Sequence, residues 1–371
     1  MMRKRGIDCL IIPHNTGEWD NYQSDTRYLT CVGGGGAATA LIFPLEGDPI
    51  VIVREARRID WWRDQQDWVI DIRALRNFSW ASAFEGALRE RNMGGARIGV
   101  VGIADVLRDA EGTAAYGEVA ALKKAFPQAV FESATDLLGA VRKCKSAEEL
   151  EMMRQAQACA DALSDALHAH ARPGVAEHTL YAEMMAAHIR AGGEAPTMVL
   201  FSADSRMWQT HLLPRFRLIA QDDIIMIEAE AKYFGYIAQS VETIAFRAFS
   251  HTERMLLNTS YACFEEILAA MKPGVPYADL IALWEKSANR DGCKAGRTLG
   301  HGLGMGQDGP LTTRGGKAGG MVVEDGDCFV LKPWIDDETG HISGRVGSTI
   351  VVENGIAARI GRTDIRCFTP H

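Results

Sequence analysis

The stretch Thr298-Leu-Gly-His-Gly-Leu-Gly304 places one imidazole, His301, among glycines. Taken alone, it reads equally well as a glycine-rich turn with an incidental histidine. What surrounds it decides between that reading and a chemical site.

The chain has 371 residues, 47% of them hydrophobic and 24% charged, which suits two globular domains with full cores. Eight cysteines (Cys9, Cys31, Cys144, Cys159, Cys263, Cys293, Cys328 and Cys367) are scattered with no C-x-x-C pair. Neither a zinc ribbon nor a redox motif is signalled, and no cofactor is expected. Reduced thiols point to the cytoplasm. The opening Met1-Met-Arg-Lys-Arg-Gly-Ile-Asp8 has basic residues, but the short apolar run after it reads as a strand. No signal peptide or membrane span is expected. A formal charge of -8 with no basic stripe argues against nucleic acid as a partner.

Over residues 1–140, apolar runs at 9–13, 38–43, 49–53, 96–101 and 129–132 alternate with helical stretches at 81–91 and 114–126. This is the pattern of a layered α/β domain. From residue 141 the character changes. Ser146 with Glu149 forms a capping box before a long amphipathic helix to about residue 171, which Pro173-Gly174 ends. The phrase Arg172-Pro-Gly-Val returns as Lys272-Pro-Gly-Val, each time after a long helix (146–171 and 252–271) and before another. Residues 141–371 therefore read as two similar αβ halves. Strands are expected at 322–331 and 348–352, separated by a polar turn at 336–340. Gly33-Gly-Gly-Gly36 lacks the G-x-G-x-x-G order of a dinucleotide turn.

In order and spacing these pieces resemble the pita-bread family of creatinase, prolidase, aminopeptidase P and methionine aminopeptidase. The resemblance rests on the strand Gly6-Ile-Asp-Cys-Leu-Ile-Ile12, the linker Arg142-Lys-Cys-Lys-Ser146, both Pro-Gly-Val turns, His211 ahead of Asp223-Ile-Ile-Met-Ile227, the turn Gly235-Tyr236, and Gly300-His-Gly-Leu-Gly304. It implies an α/β (α+β) chain: a creatinase/prolidase-type α/β domain over residues 1–140, then a pita-bread domain with pseudo-duplicated αβ halves over 141–371.

The departures are as informative as the matches. The family's peptidases hold two divalent ions with two aspartates, a histidine and two glutamates. The resemblance puts these positions on Glu228, Gln239, His301, Lys332 and Gly347, so no metal site is expected. A second family histidine falls on Gln307. Lys332 lies in the apolar run Cys328-Phe-Val-Leu-Lys-Pro-Trp334, where a buried ammonium needs a carboxylate, and Glu228 is the candidate partner. Asp336, Asp337 and Glu338 read as solvated turn residues.

The branch resembled most is the metal-free one of creatinase and ectoine hydrolase. That implies a metal-independent hydrolase cleaving a C–N bond of a small amidine, guanidine or amide. His211, in Gln209-Thr-His-Leu-Leu-Pro-Arg215, would be the general acid–base. Glu228, Glu242, His301 and Lys332 join His211 as catalytic candidates, with Glu230, Gln239 and Gln307 as substrate-binding ones. Glu228, Glu230 and Glu242 together would favour a cationic substrate group. Arg215 and Arg217 suit a surface or a substrate carboxylate. The resemblance also implies a homodimer in which the segment containing Trp19, Tyr22, Asp25, Arg27 and Tyr28 reaches the partner's site, Arg27 and Tyr28 binding substrate. The alternatives are a metal-dependent Xaa-Pro aminopeptidase or dipeptidase, and a catalytically silent domain that binds a ligand or protein.

Overall fold

The computed structural model describes residues 1–14, 25–207 and 213–366. The chain divides into two compact units, Met1–Arg142 and Lys143–His371.

Six short strands make the sheet of the first unit: β1 (Cys9–Ile12), β2 (Thr39–Pro44), β3 (Ile50–Val53), β4 (Asp71–Ala74), β5 (Arg97–Val100) and β6 (Val130–Ser133), in the order β4-β3-β2-β1-β5-β6. Side chains alternate between the faces of a strand. Cys9 and Ile11 therefore enter one core with Trp80, Phe84 and Leu88, while Leu10 and Ile12 enter another with Trp62 and Leu137. A strand covered on both faces must be apolar throughout, which is why these runs show no alternation in sequence.

The second unit begins with the helix Ala147–His170, whose capping box is formed as expected: Glu149 N–H donates to the Ser146 hydroxyl and Ser146 N–H donates to the Glu149 carboxylate. The helix Glu177–Arg190 follows, then an antiparallel sheet of β7 (Met198–Asp204), β8 (Ile224–Tyr233) and β9 (Tyr236–Ala245). Phe234 and Gly235 close the β8–β9 hairpin with positive φ at both residues, the geometry that twists with the strands.

The second half repeats this plan. Helices His251–Ala270 and Tyr277–Ala288 precede β10 (Cys293–Ala295), β11 (Thr298–Gly304), β12 (Gly306–Thr313), β13 (Cys328–Leu331), β14 (Ile335–Asp337), β15 (Ser343–Gly344), β16 (Ser348–Glu353) and β17 (Ile356–Arg359). Five of these form the sheet β12-β11-β13-β16-β17, and β10-β14-β15 form a smaller one.

The duplication extends to individual hydrogen bonds. Gly174 N–H donates to Ile219 O and Ile219 N–H returns to Val175 O; Gly274 N–H donates to Val323 O and Val323 N–H returns to Val275 O. Both Pro-Gly turns are thus tied to a later strand-like segment of their own half. A second capping box, Ser250 with Glu253, starts the second long helix and was readable from its S-x-x-E spacing. Each half has its own core, one around Leu163, Leu180, Phe201 and Ile227 and the other around Phe264, Trp284, Phe329 and Ile350.

Two expectations are corrected. The glycine-rich stretch around His301 is a strand, not a turn, irregular at Thr298/Gly300 and His301/Gly302. Its glycines are steric: a Cβ at Gly300 would lie 1.9 Å from Val330 O, and one at Gly302 would lie 2.3 Å from Gly309 O. Asp336 is not a solvated turn residue either. It sits buried in β14, paired with Lys294 across to β10, because a separate short strand of the β10-β14-β15 sheet begins right after Trp334.

Ser250→Ala should cost ~1 kcal/mol, the usual worth of a serine cap. Gly300→Ala should cost several times as much, since its neighbour is backbone that cannot rotate away. Urea unfolding of both variants measures the difference.

Candidate active site

Register fixes which side chains of the β8–β9 hairpin share a face. Glu228 stands opposite Val241, Glu230 opposite Gln239, and Ile227 opposite Glu242. Glu228, Glu230 and Gln239 therefore lie on one face and Glu242 on the other. The expected constellation of three glutamates is split. Glu242 turns to the helix Ala147–His170, where the Ser164 hydroxyl donates to one carboxylate oxygen and His168 Nε2 lies 2.8 Å from the other.

On the inner face, β9 meets the five-stranded sheet through paired hydrogen bonds between Val241 and Gly347. This junction brings Lys332, just after β13, against the hairpin. Its Nζ donates to Glu228 Oε1 and lies 3.3 Å from Gln239 Oε1, while Gln239 Nε2 donates to the same Glu228 oxygen at 2.7 Å. Arg345 Nη2 stands 3.7 Å from the other Glu228 oxygen, with its guanidinium 4.2 Å from the centre of the Trp334 ring. All four side chains are buried. Burial pushes the Glu228 carboxyl up, but the charges of Lys332 and Arg345, the Lys332 hydrogen bond and His301 outweigh it and hold the group at about 2. The expected Glu228 to Lys332 pair is present.

Beside this cluster lies a second one. His301 is fully buried, with Nδ1 3.0 Å from Gly302 O and Nε2 3.6 Å from Glu230 Oε1. A contact to a carbonyl oxygen requires the proton on Nδ1, which leaves Nε2 facing the carboxylate. Gln307 Nε2 donates to the same Glu230 oxygen at 2.8 Å. The structure thus brings together Glu228, Glu230, Gln239, His301, Gln307 and Lys332.

Other candidates fall elsewhere. His211, Trp19 and Tyr22 lie outside the described residues. Arg27 and Tyr28 belong to the first unit, on the helix Asp25–Thr30, where Arg142 pairs with Asp25 and stacks over Tyr28. Arg215 and Arg217 are engaged by Glu177, Asp204 and Asp223. The cationic-substrate reading loses its basis, because Glu242 faces the helix and Glu228 is already neutralised.

Residues 151–357, more than half of the chain, match the sequence pattern of metallopeptidase family M24. The chain belongs to this family. It is 25% identical to an uncharacterized hydrolase/peptidase of Sinorhizobium fredii, over 59% of this chain and 58% of that one. It is 23% identical to a Xaa-Pro dipeptidase of Lactobacillus helveticus, over 58% of this chain and 59% of that one. The chain thus spans under two thirds of these relatives. The fold superposes on the prolidase from Pyrococcus furiosus with a TM-score of 0.79, at 17% identity, covering 98% of both chains.

The M24 relatives correct the expected activity. The family match and a relative named Xaa-Pro dipeptidase stand where a creatinase-like enzyme was expected, and they overturn the reading of a creatinase-like hydrolase acting on a small nitrogenous metabolite through His211.

Do the residues fit the metal pair that the M24 name implies? They do not. Both oxygens of Glu228 face cations, and Lys332 brings an ammonium where a cation-binding carboxylate is needed. A Cβ at Gly347 would lie 2.7 Å from Lys332 Cβ and 3.0 Å from Val241 Cγ2. Among the described residues, no three His, Cys, Asp or Glu side chains converge as a metal ion requires.

Three contributors were not foreseen from sequence: Arg345, Ser164 and His168. Arg345 was detectable as a charge beside Gly347 in the same run; the other two lie on a helix whose pattern gives no hint of the strand they face.

The hydrogen bond to Glu242 raises the His168 imidazole above its ordinary 6.5, against the lowering effect of burial. Its stabilising contribution is full below that ordinary value and is lost as pH rises through the raised folded-state one. The stability gap between parent and His168→Ala should be widest on the acid side of 6.5 and shrink towards alkaline pH. Denaturant melts across that range check this.

Proposed function

We propose that this chain hydrolyses the peptide bond of short Xaa-Pro-type peptides. Support comes from the M24 match across the second unit and from relatives whose names include Xaa-Pro dipeptidase and putative dipeptidase. The observation that carries the chemistry is the buried pair Glu230 and His301, a carboxylate and an imidazole 3.6 Å apart, with the half-buried Gln307 donating to the carboxylate.

In such a hydrolysis the oxygen of water bonds to the carbonyl carbon, the C–N bond breaks, and a proton passes to the departing nitrogen. Glu230 and His301 are the groups proposed to carry that proton, and Gln307 the one that holds Glu230 in place. The seven described cysteines are free thiols, which supports a cytoplasmic location. No described helix is long and apolar enough to cross a membrane.

Proline release from a panel of Xaa-Pro dipeptides tests the proposal. The wild type should release proline, and Glu230→Gln should lower kcat by ~10²- to 10⁴-fold, the usual worth of a positioned proton carrier. Peptides that bind in calorimetry but are returned intact would overturn it, as would full activity in Glu230→Gln.

A further inference from the structure

Three of the positions where M24 peptidases carry metal ligands differ here in ways that fit one another. Lys332 points inward, its side chain 8% exposed, and reaches Glu228 directly. Gln239, neutral, accepts near the ammonium with its oxygen and donates to Glu228 with its nitrogen, so one amide serves both charges. Gly347 has no side chain, and the space a Cβ would take is filled by Lys332 Cβ and Val241 Cγ2. Any side chain at 347 would therefore need these neighbours to shift. Arg345 adds a second cation on the far side of Glu228.

A carboxylate buried to this depth is costly without a partner charge, and in a metallopeptidase the ions themselves supply it. Here the charge is covalently part of the chain. We infer that Lys332 is a resident cation standing in for the metal pair of the M24 peptidases, so that the chain folds and keeps its inner face assembled with no divalent ion. A divalent ion entering this position meets two cations and one carboxylate whose Oε1 is already hydrogen-bonded to Lys332 and Gln239 and whose Oε2 faces Arg345, an electrostatic barrier rather than a site. Loss of Lys332 should therefore resemble loss of metal from a metalloenzyme, and chelation should do nothing.

This inference rests on the Glu228, Gln239, Lys332 and Arg345 geometry and not on the peptide substrate, so it is tested without turnover. Protein purified without chelator is assayed for bound metal, titrated with Mn²⁺, Co²⁺ and Zn²⁺ in a calorimeter, and melted with and without EDTA. Far less than one ion per chain, no saturable heat and an unchanged Tm are expected. Lys332→Met, melted alongside, should show a clear fall in Tm that none of these ions reverses. Stoichiometric uptake that disappears in His301→Ala would overturn the inference, and so would a Lys332→Met variant that melts like the parent. The wild-type measurement decides the matter even where the variant does not fold.

Discussion

A carboxylate taken out of water must be given a counter-charge, and in this chain that requirement falls on Glu228. Its oxygens are shared among an ammonium, a guanidinium and an amide. Each partner comes from a different segment: Gln239 from β9, Lys332 from the end of β13, Arg345 from the approach to β16. The cluster therefore pins the β8–β9 hairpin to the five-stranded sheet, and the paired Val241 and Gly347 bonds add a backbone clasp beside it. Charge satisfaction and the joining of the two halves are achieved by the same residues.

Close packing is the other constraint. β11 runs between β12 and β13 so tightly that Gly300 and Gly302 face carbonyl oxygens where a Cβ would stand. That places His301 with its ring wholly inside the protein, next to Glu230. The glycines, which in sequence read as a turn, are what allow the strand to pack this closely around the histidine. The functional reading and the steric one are thus two consequences of a single strand.

Much of the fold was legible in the sequence because its signals are local. The Ser146 capping box, the doubled Pro-Gly-Val turns and the apolar runs depend on neighbours a few residues apart, and they located the helices and most of the strands found, although the strand expected from residue 322 begins only at Cys328. The Glu228 to Lys332 pair could also be foreseen, since a lysine inside an apolar run needs a partner. What could not be read was facing. Glu242 was grouped with Glu228 and Glu230, but a two-residue strand period sends Glu228 and Glu242 to opposite sides once the register is known. Asp336 looked solvated because the polar residues after it hid the short strand β14. The branch was misjudged for a related reason: missing metal ligands suggested creatinase, whereas the relatives of the second unit include a Xaa-Pro dipeptidase.

The central claim is that Glu228 and Lys332 depend on each other. A double-mutant cycle with Glu228→Gln, Lys332→Met and both together, each unfolded in denaturant at neutral pH, measures that dependence most directly. Removing one member of a buried ion pair strands the other, so each single change should cost roughly 3–5 kcal/mol, while the double variant, with no charge left unpaired between them, should lose much less than the sum. Losses that simply add would contradict the account, because the two residues would then be contributing to stability separately.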